Sequence, residues 1–259
     1  MVRTLAGFKI GVQLWSVRDD CERDLEGTLK ALADMGFDGV EFAGFYGRGA
    51  AELRRLLESL GLEVAGAHIP YTSFLGDELL RTIEYNLELG NRNLVIPSVP
   101  QEIRGSKARW LEFASFLNDL SDRLAPHGMR IGYHNHDYEF KPVDGELPWH
   151  MVFRSTRRSV IMQLDTANAL AGGVEPSYLL EVIKMYPGRA ITVHVKDFSR
   201  AKGQVILGEG DVPWREFLAM CRTVGGTEWL IVEQEAYPYS PIESVRRSLK
   251  NLLDILSTL

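Results

Sequence analysis

Four short apolar runs in the C-terminal half of the chain each reach a residue able to ligate a metal. They read Ile-Gly-Tyr-His-Asn-His (131–136), Met-Gln-Leu-Asp (162–165), Thr-Val-His-Val-Lys (192–196) and Leu-Ile-Val-Glu-Gln-Glu (230–235). His134, Asp165, His194 and Glu233 lie 31, 29 and 39 residues apart, about one strand-plus-helix unit per step. Four such residues meet only where four parallel strand ends converge, at the mouth of a barrel. A lone His or Asp at a strand end is usually a hydrogen-bonded polar residue and nothing more. Two imidazoles and two carboxylates in one phase are different, because without a cation they are costly to desolvate. The mixed donor set suits a divalent Mn, Co, Fe or Zn ion better than Ca or Mg.

His136, Lys196 and Glu235 each stand two residues beyond a proposed ligand, on the same strand face. One layer higher at the mouth, they are candidates for proton transfer or for binding substrate hydroxyls. The alternative is a solvated rim charge, or for Lys196 an ion pair with Asp197. Glu41 and His68 end strands on the opposite wall, placed to bond a polyhydroxylated substrate or simply satisfied in place. Trp15 offers a face for stacking on a sugar, although buried packing is the commoner fate of Trp. Leu-Gly-Glu-Gly-Asp-Val-Pro-Trp (207–214) is either a phosphate cradle or a turn in which Asp211 caps a helix starting at Pro213. No nucleotide-binding P-loop and no Gly-x-Ser-x-Gly elbow occurs, so Ser/His/Asp catalysis has no anchor.

The elements that must position these residues alternate along the chain. A helical stretch closes on Gly, a short apolar strand follows, then polar residues. The joint recurs at 35–42, 60–68, 89–96, 127–134 and 225–233. Gly just past a helix supplies the left-handed conformation that ends it. Strands are expected near 9–14, 38–42, 63–68, 93–97, 130–135, 160–165, 190–196 and 229–234. Helices are expected near 22–35, 50–60, 77–90, 107–126, 148–155, 176–186, 213–224 and 241–257, with Ser106 as an N-cap. Eight such units predict parallel pairing and a single-domain α/β fold, a (β/α)8 TIM barrel spanning residues 1–259. A doubly wound open sheet is disfavoured, because no Gly-rich dinucleotide fingerprint follows the first strand.

The composition is that of an ordinary globular protein: 259 residues, 45% hydrophobic, 25% charged, formal charge −6. The acidic balance argues against a general nucleic-acid binder. Cys21 and Cys221 fall far apart in helical stretches, as small hydrophobes in a reducing compartment. No run approaches the length of a membrane span and the N-terminus lacks the apolar core of a signal peptide. The default expectation is a cytoplasmic protein with no membrane partner, and homo-oligomerisation stays open.

Several motifs together resemble the xylose isomerase-like TIM-barrel superfamily, the sugar phosphate isomerase/epimerase group. The carriers are Gly-Val-Gln-Leu-Trp-Ser-Val-Arg-Asp (11–19), Tyr-His-Asn-His-Asp-Tyr-Glu-Phe (133–140), Leu-Asp-Thr (164–166), His-Val-Lys-Asp (194–197), residues 208–214 and Val-Glu-Gln-Glu (232–235). The resemblance runs nearly the whole chain. It implies a divalent metal held in many members by Glu, Asp, His and Glu, at places that fall on His134, Asp165, His194 and Glu233. This chain has His for the first Glu, which in the epimerases is one of two bases, so two-base C3 epimerisation is in doubt. The Tyr-His-Asn-His segment is similar to the corresponding part of inosose dehydratases. The resemblance therefore implies a sugar or polyol substrate and proton abstraction beside its carbonyl, with Glu233 as base, ending in isomerisation or, as the alternative, dehydration. An endonuclease IV-like repair enzyme would need more metal-binding His than the six present. A non-catalytic barrel would not need the three family-type ligands retained.

Overall fold

The computed structural model describes residues 7–259. Eight parallel strands form the barrel wall: β1 (Lys9–Gln13), β2 (Gly39–Ala43), β3 (Glu63–His68), β4 (Asn93–Ile96), β5 (Arg130–His134), β6 (Ile161–Gln163), β7 (Thr192–Val195) and β10 (Trp229–Val232). A short antiparallel hairpin, β8 (Asp197–Ser199) and β9 (Gly203–Val205), is inserted after β7. The strand order β6-β5-β4-β3-β2-β1-β10-β7 leaves β6 and β7 at the two ends of the ladder. One parallel bridge, Asp165 to His194, joins those ends and closes the barrel. The expected (β/α)8 barrel is the fold observed.

The helices lie outside: α1 (Arg18–Arg23), α2 (Leu25–Met35), α3 (Ala50–Leu60), α4 (Glu78–Leu89), α5 (Gln101–Arg104), α6 (Lys107–Leu124), α7 (Pro148–Ser155), α8 (Thr166–Ala171), α9 (Tyr178–Met185), α10 (Trp214–Met220) and α11 (Pro241–Leu256). α2, α3 and α4 end on Gly36, Gly61 and Gly90, each with positive φ. Ser106 caps α6 by accepting from the Arg109 N–H. The helix expected over 22–35 is broken in two. Asp24 turns its carboxylate onto the Gly27 N–H at 3.0 Å and starts a new helix there. The helix expected over 213–224 is α10 followed by a π turn at Cys221–Gly225.

Strand alternation assigns the two faces of the wall. Val12, Val40, Leu94, Tyr133, Met162, Val193 and Val232 point outward and are buried under helices. Tyr133, for example, packs edge-on against Phe113 of α6, with ring centroids 4.9 Å apart. Inward, the lower barrel holds a separate small cluster of Ala65, Trp229 and Ile231. Gly39 makes room for it, since a Cβ there would lie 2.8 Å from the Trp229 ring. Both cysteines are buried and free. Among the described residues no helix is long and apolar enough to cross a membrane.

Candidate metal centre and substrate cavity

The polar inward residues lie above that apolar plug, at the C-terminal ends of the strands. His134 ends β5, and Asp165, His194 and Glu233 follow from β6, β7 and β10. One donor atom from each falls within 4.8 Å of the others, and all four residues are buried. The four positions spaced along the sequence thus converge on one point.

A hydrogen-bonded layer beneath holds the imidazoles. The fully buried Glu41 carboxylate accepts from Gln13 Nε2 at 2.7 Å, Gln163 Nε2 at 2.7 Å and His194 Nε2 at 2.6 Å. With its amide nitrogen committed to Glu41, Gln163 turns Oε1 toward His68 Nε2 at 2.6 Å and His134 Nδ1 at 3.1 Å. An amide oxygen only accepts, so both ring nitrogens carry hydrogen. His134 therefore keeps its Nε2 lone pair for the centre, and burial followed by the neighbouring His194 and His68 holds its pKa well below the usual range. His194 donates Nε2–H to Glu41 and turns Nδ1 to Glu233 Oε2 at 3.1 Å. Burial opposes a charge on His194, but the Glu41 and Glu233 carboxylates outweigh it and lift its pKa to about 10.

Lys196 is not a solvated rim charge. Its ammonium is buried, 3.1 Å from Asp165 Oδ2, 3.1 Å from Glu233 Oε2 and 2.6 Å from Glu235 Oε2. Those carboxylates overcome the burial penalty and keep it protonated. Asp165 has two jobs. Oδ1 accepts the Asn168 N–H at 2.7 Å and caps α8. Oδ2 is buried beside Lys196 without an aligned hydrogen bond. Burial raises the Asp165 pKa, whereas Lys196 and His194 together overcome burial at Glu233 and lower its own. In this geometry an ammonium and an imidazolium supply the positive charge among the acids.

The donor set fits a divalent transition metal. Two imidazoles present a nitrogen to one point while the opposite nitrogen is fixed by Gln163 or Glu41, the usual support of metal-bound His. Asp165 Oδ2 and Glu233 complete a set of four, and the orphaned Oδ2 is the atom such an ion would satisfy.

Above the centre opens a cavity of about 420 Å³. Glu233, Glu235, His134 and His136 form one side, and the half-exposed Trp15 with Ala43, Pro70 and Pro97 forms the other. His68 reaches this cavity, whereas Glu41 lies below it with no exposed surface. The carboxylate expected at the substrate wall instead orients His194. His136 stacks on Tyr138 with centroids 5.7 Å apart, and its Nδ1 is buried without a partner. Asp197 makes no ion pair with Lys196. It fills the Gly-rich loop, accepting from Gly208 N at 2.7 Å, Gly210 N at 3.1 Å and the Trp214 indole at 2.8 Å. Asp211 accepts from the Arg200 N–H rather than capping α10.

The supporting amides of Gln13, Gln163 and Asn135 carried no signal by type. Gln13 and Gln163 share the inward phase of the four converging residues, which was the one available clue. Asn135 faces away from them and ties β5 to β6, accepting the Asp165 N–H at 2.8 Å and donating to the Asp165 carbonyl at 3.1 Å.

Comparison with known proteins agrees with this architecture. The sequence model of a family described as "Xylose isomerase-like TIM barrel" matches residues 29–255. The rhizopine catabolism protein MocC of Rhizobium meliloti is 23% identical over 83% of this chain and 75% of its own length. An inosose dehydratase of Clostridium botulinum is 22% identical over 84% of each chain. Among solved structures, a sugar phosphate isomerase/epimerase from Parabacteroides distasonis superposes with a TM-score of 0.81 at 22% identity, covering 95% of this chain and 94% of that one. The IOLI protein, solved with a bound zinc atom, superposes with a TM-score of 0.74 at 16% identity, covering 97% and 99%.

Proposed function

This chain belongs to the xylose isomerase-like TIM-barrel family, and on that footing we propose that it is a divalent-metal-dependent enzyme acting on a sugar or polyol derivative by removing a proton next to a carbonyl. The observation that carries the proposal is the convergence of His134, Asp165, His194 and Glu233 on the floor of the cavity, with Lys196 bridging Glu233 and Glu235. The zinc in the IOLI structure supports the metal assignment. A metal held by these four residues would supply positive charge to a substrate carbonyl and a neighbouring hydroxyl.

The chain's own groups supply the proton chemistry. Glu233 stays ionised at the cavity floor and is the base. Lys196 shares a proton-carrying contact with Glu233 and Glu235, so it can hold charge as the carboxyl gains a proton. Glu235 and His136 face the cavity one layer higher, placed to return a proton or hold a hydroxyl. Trp15 and His68 would bind substrate from the other side, the ring as a stacking face and the imidazole as a hydroxyl partner.

The carboxylates crowd one side, while the facing wall of Trp15, Ala43, Pro70 and Pro97 carries none and offers only the His68 imidazole, whose Nε2–H is given to Gln163. Epimerisation needs a base on each face of the reacting carbon. The one-sided arrangement favours return of the proton to the neighbouring carbon, which is isomerisation. A second reading is dehydration, in which the same groups protonate a departing β-hydroxyl. The likeness to an inosose dehydratase over 84% of both chains favours it. The cavity suits a small-molecule substrate in either case.

The test is metal-supplemented protein in D2O with ketoses, inososes and 3-keto sugars, followed by NMR and mass spectrometry. Deuterium incorporation is expected, with an isomer or a product lighter by one water. Absence of both exchange and turnover across the panel would sink the proposal.

A further inference from the structure

Resting on the reading that the cavity takes a sugar or polyol, we propose that it takes the unesterified compound and discriminates against phosphate monoesters. Three features of the mouth carry this.

The first is the Gly-rich loop at 207–212. Barrels of this class commonly hold phosphate on loops that follow the last strands, using backbone N–H groups. Here that cradle is filled by the chain itself. Asp197 accepts from Gly208 N at 2.7 Å, Gly210 N at 3.1 Å, Val212 N at 3.4 Å and the Trp214 indole at 2.8 Å. The fit is tight, since a Cβ on Gly210 would lie 2.2 Å from Asp197 Oδ1. An incoming phosphate meets a carboxylate already in place.

The second is the sign of the charge. The acidic side chains lining the cavity are Glu233 and Glu235. The ammonium of Lys196 is shared among three acids and is buried. Arg18, at the rim, lies 4.5 Å over the Trp15 ring and donates to the Trp15 carbonyl at 3.0 Å and the Tyr237 hydroxyl at 3.2 Å. Arg81, in the groove behind Pro70, is paired with Glu78 at 2.6 Å. No Lys or Arg is among the residues that line the cavity. A phosphate dianion held above the metal centre would be desolvated beside Glu235 with no lysine or arginine in the cavity lining to pair it.

The third is the apolar wall. Trp15, Ala43, Pro70 and Pro97 suit the C–H face of a sugar ring and offer a phosphate no donor.

The experiment titrates metal-loaded protein calorimetrically with two ligand sets: ketoses and inososes, and the monophosphate esters of the same compounds. Inorganic phosphate serves as a competitor. Unesterified compounds should bind, their esters at least about tenfold more weakly, and inorganic phosphate should not displace them. Esters binding as tightly as the parent compounds, or more so, would overturn the inference and leave the proposed function standing. Binding by neither set would overturn the proposed function, and this inference with it.

Discussion

A single carboxylate, Asp165, is asked both to cap a helix and to face the centre. The Asn variant separates these duties, because its side-chain oxygen still accepts the Asn168 N–H while the charge is gone. Asp165→Asn is expected to fold with its melting temperature little changed and to bind Zn or Mn at least about tenfold more weakly. Undiminished metal content by elemental analysis would remove Asp165 from the ligand set. Lys196→Met makes the opposite prediction. It should retain metal, yet in the metal-free protein it strips the cation from three neighbouring acids. Breaking such a buried arrangement costs on the order of 3 kcal/mol, so the metal-free variant should melt well below the parent and recover when metal is added. Equal melting temperatures without metal would refute the role given to Lys196. The convergence of His134, Asp165, His194 and Glu233 was legible because imidazoles and carboxylates on one strand phase have few other reasons to meet. The place of Lys196 was not. Strand phase set its Cα one layer above His194, but its long side chain reaches back to the acids.

At the scale of elements, the segment from β5 to α7 is organised around Glu139. Its carboxylate is fully buried, accepts from the Tyr133 hydroxyl and takes the His136 N–H at 2.8 Å. Burial raises its pKa from 4.5 to about 7 despite these donors. The folded state thus favours the protonated form. The stability it contributes is complete below the unfolded value of 4.5 and is lost as pH rises through about 7. Urea unfolding of the parent should therefore show a loss between pH 5 and pH 7 that is shallower in Glu139→Gln, the remainder coming from the likewise raised Asp165. A variant with the same slope would place the titration elsewhere. Glu139 was not legible as a buried group, since a Glu in a short connection reads as solvated. The same limit applies at Asp24, where a polar residue inside an apolar periodicity looked like an exposed helix position. Only its cap geometry shows the break. By contrast the Gly joints were reliable, because a positive φ at Gly36, Gly61 and Gly90 is a requirement of the backbone itself.

The whole molecule was readable as a barrel from the number of strand-helix units. How it closes was not, because register between the first and last strands of a ladder depends on pieces far apart in sequence. Neighbouring barrel strands elsewhere share a run of registered pairs, but β6 and β7 meet at one bridge. The residues of that bridge are Asp165 and His194, two of the four proposed ligands.

That coincidence would turn a bound ion into a mechanical part. The barrel is a hoop with one clasp, and an ion gripping Asp165 and His194 would pin the clasp shut. Loading should then stiffen the molecule unevenly. The His194 amide, bonded to the Leu164 carbonyl at 3.0 Å, and the Met162 amide, bonded to the Arg189 carbonyl at 2.8 Å, mark the seam. Their hydrogen exchange should slow on metal addition by more than that of amides in the β1–β2 ladder. Uniform slowing would mean general stabilisation only, whereas a seam-specific effect would make exchange at the clasp a gauge of occupancy, readable without any substrate.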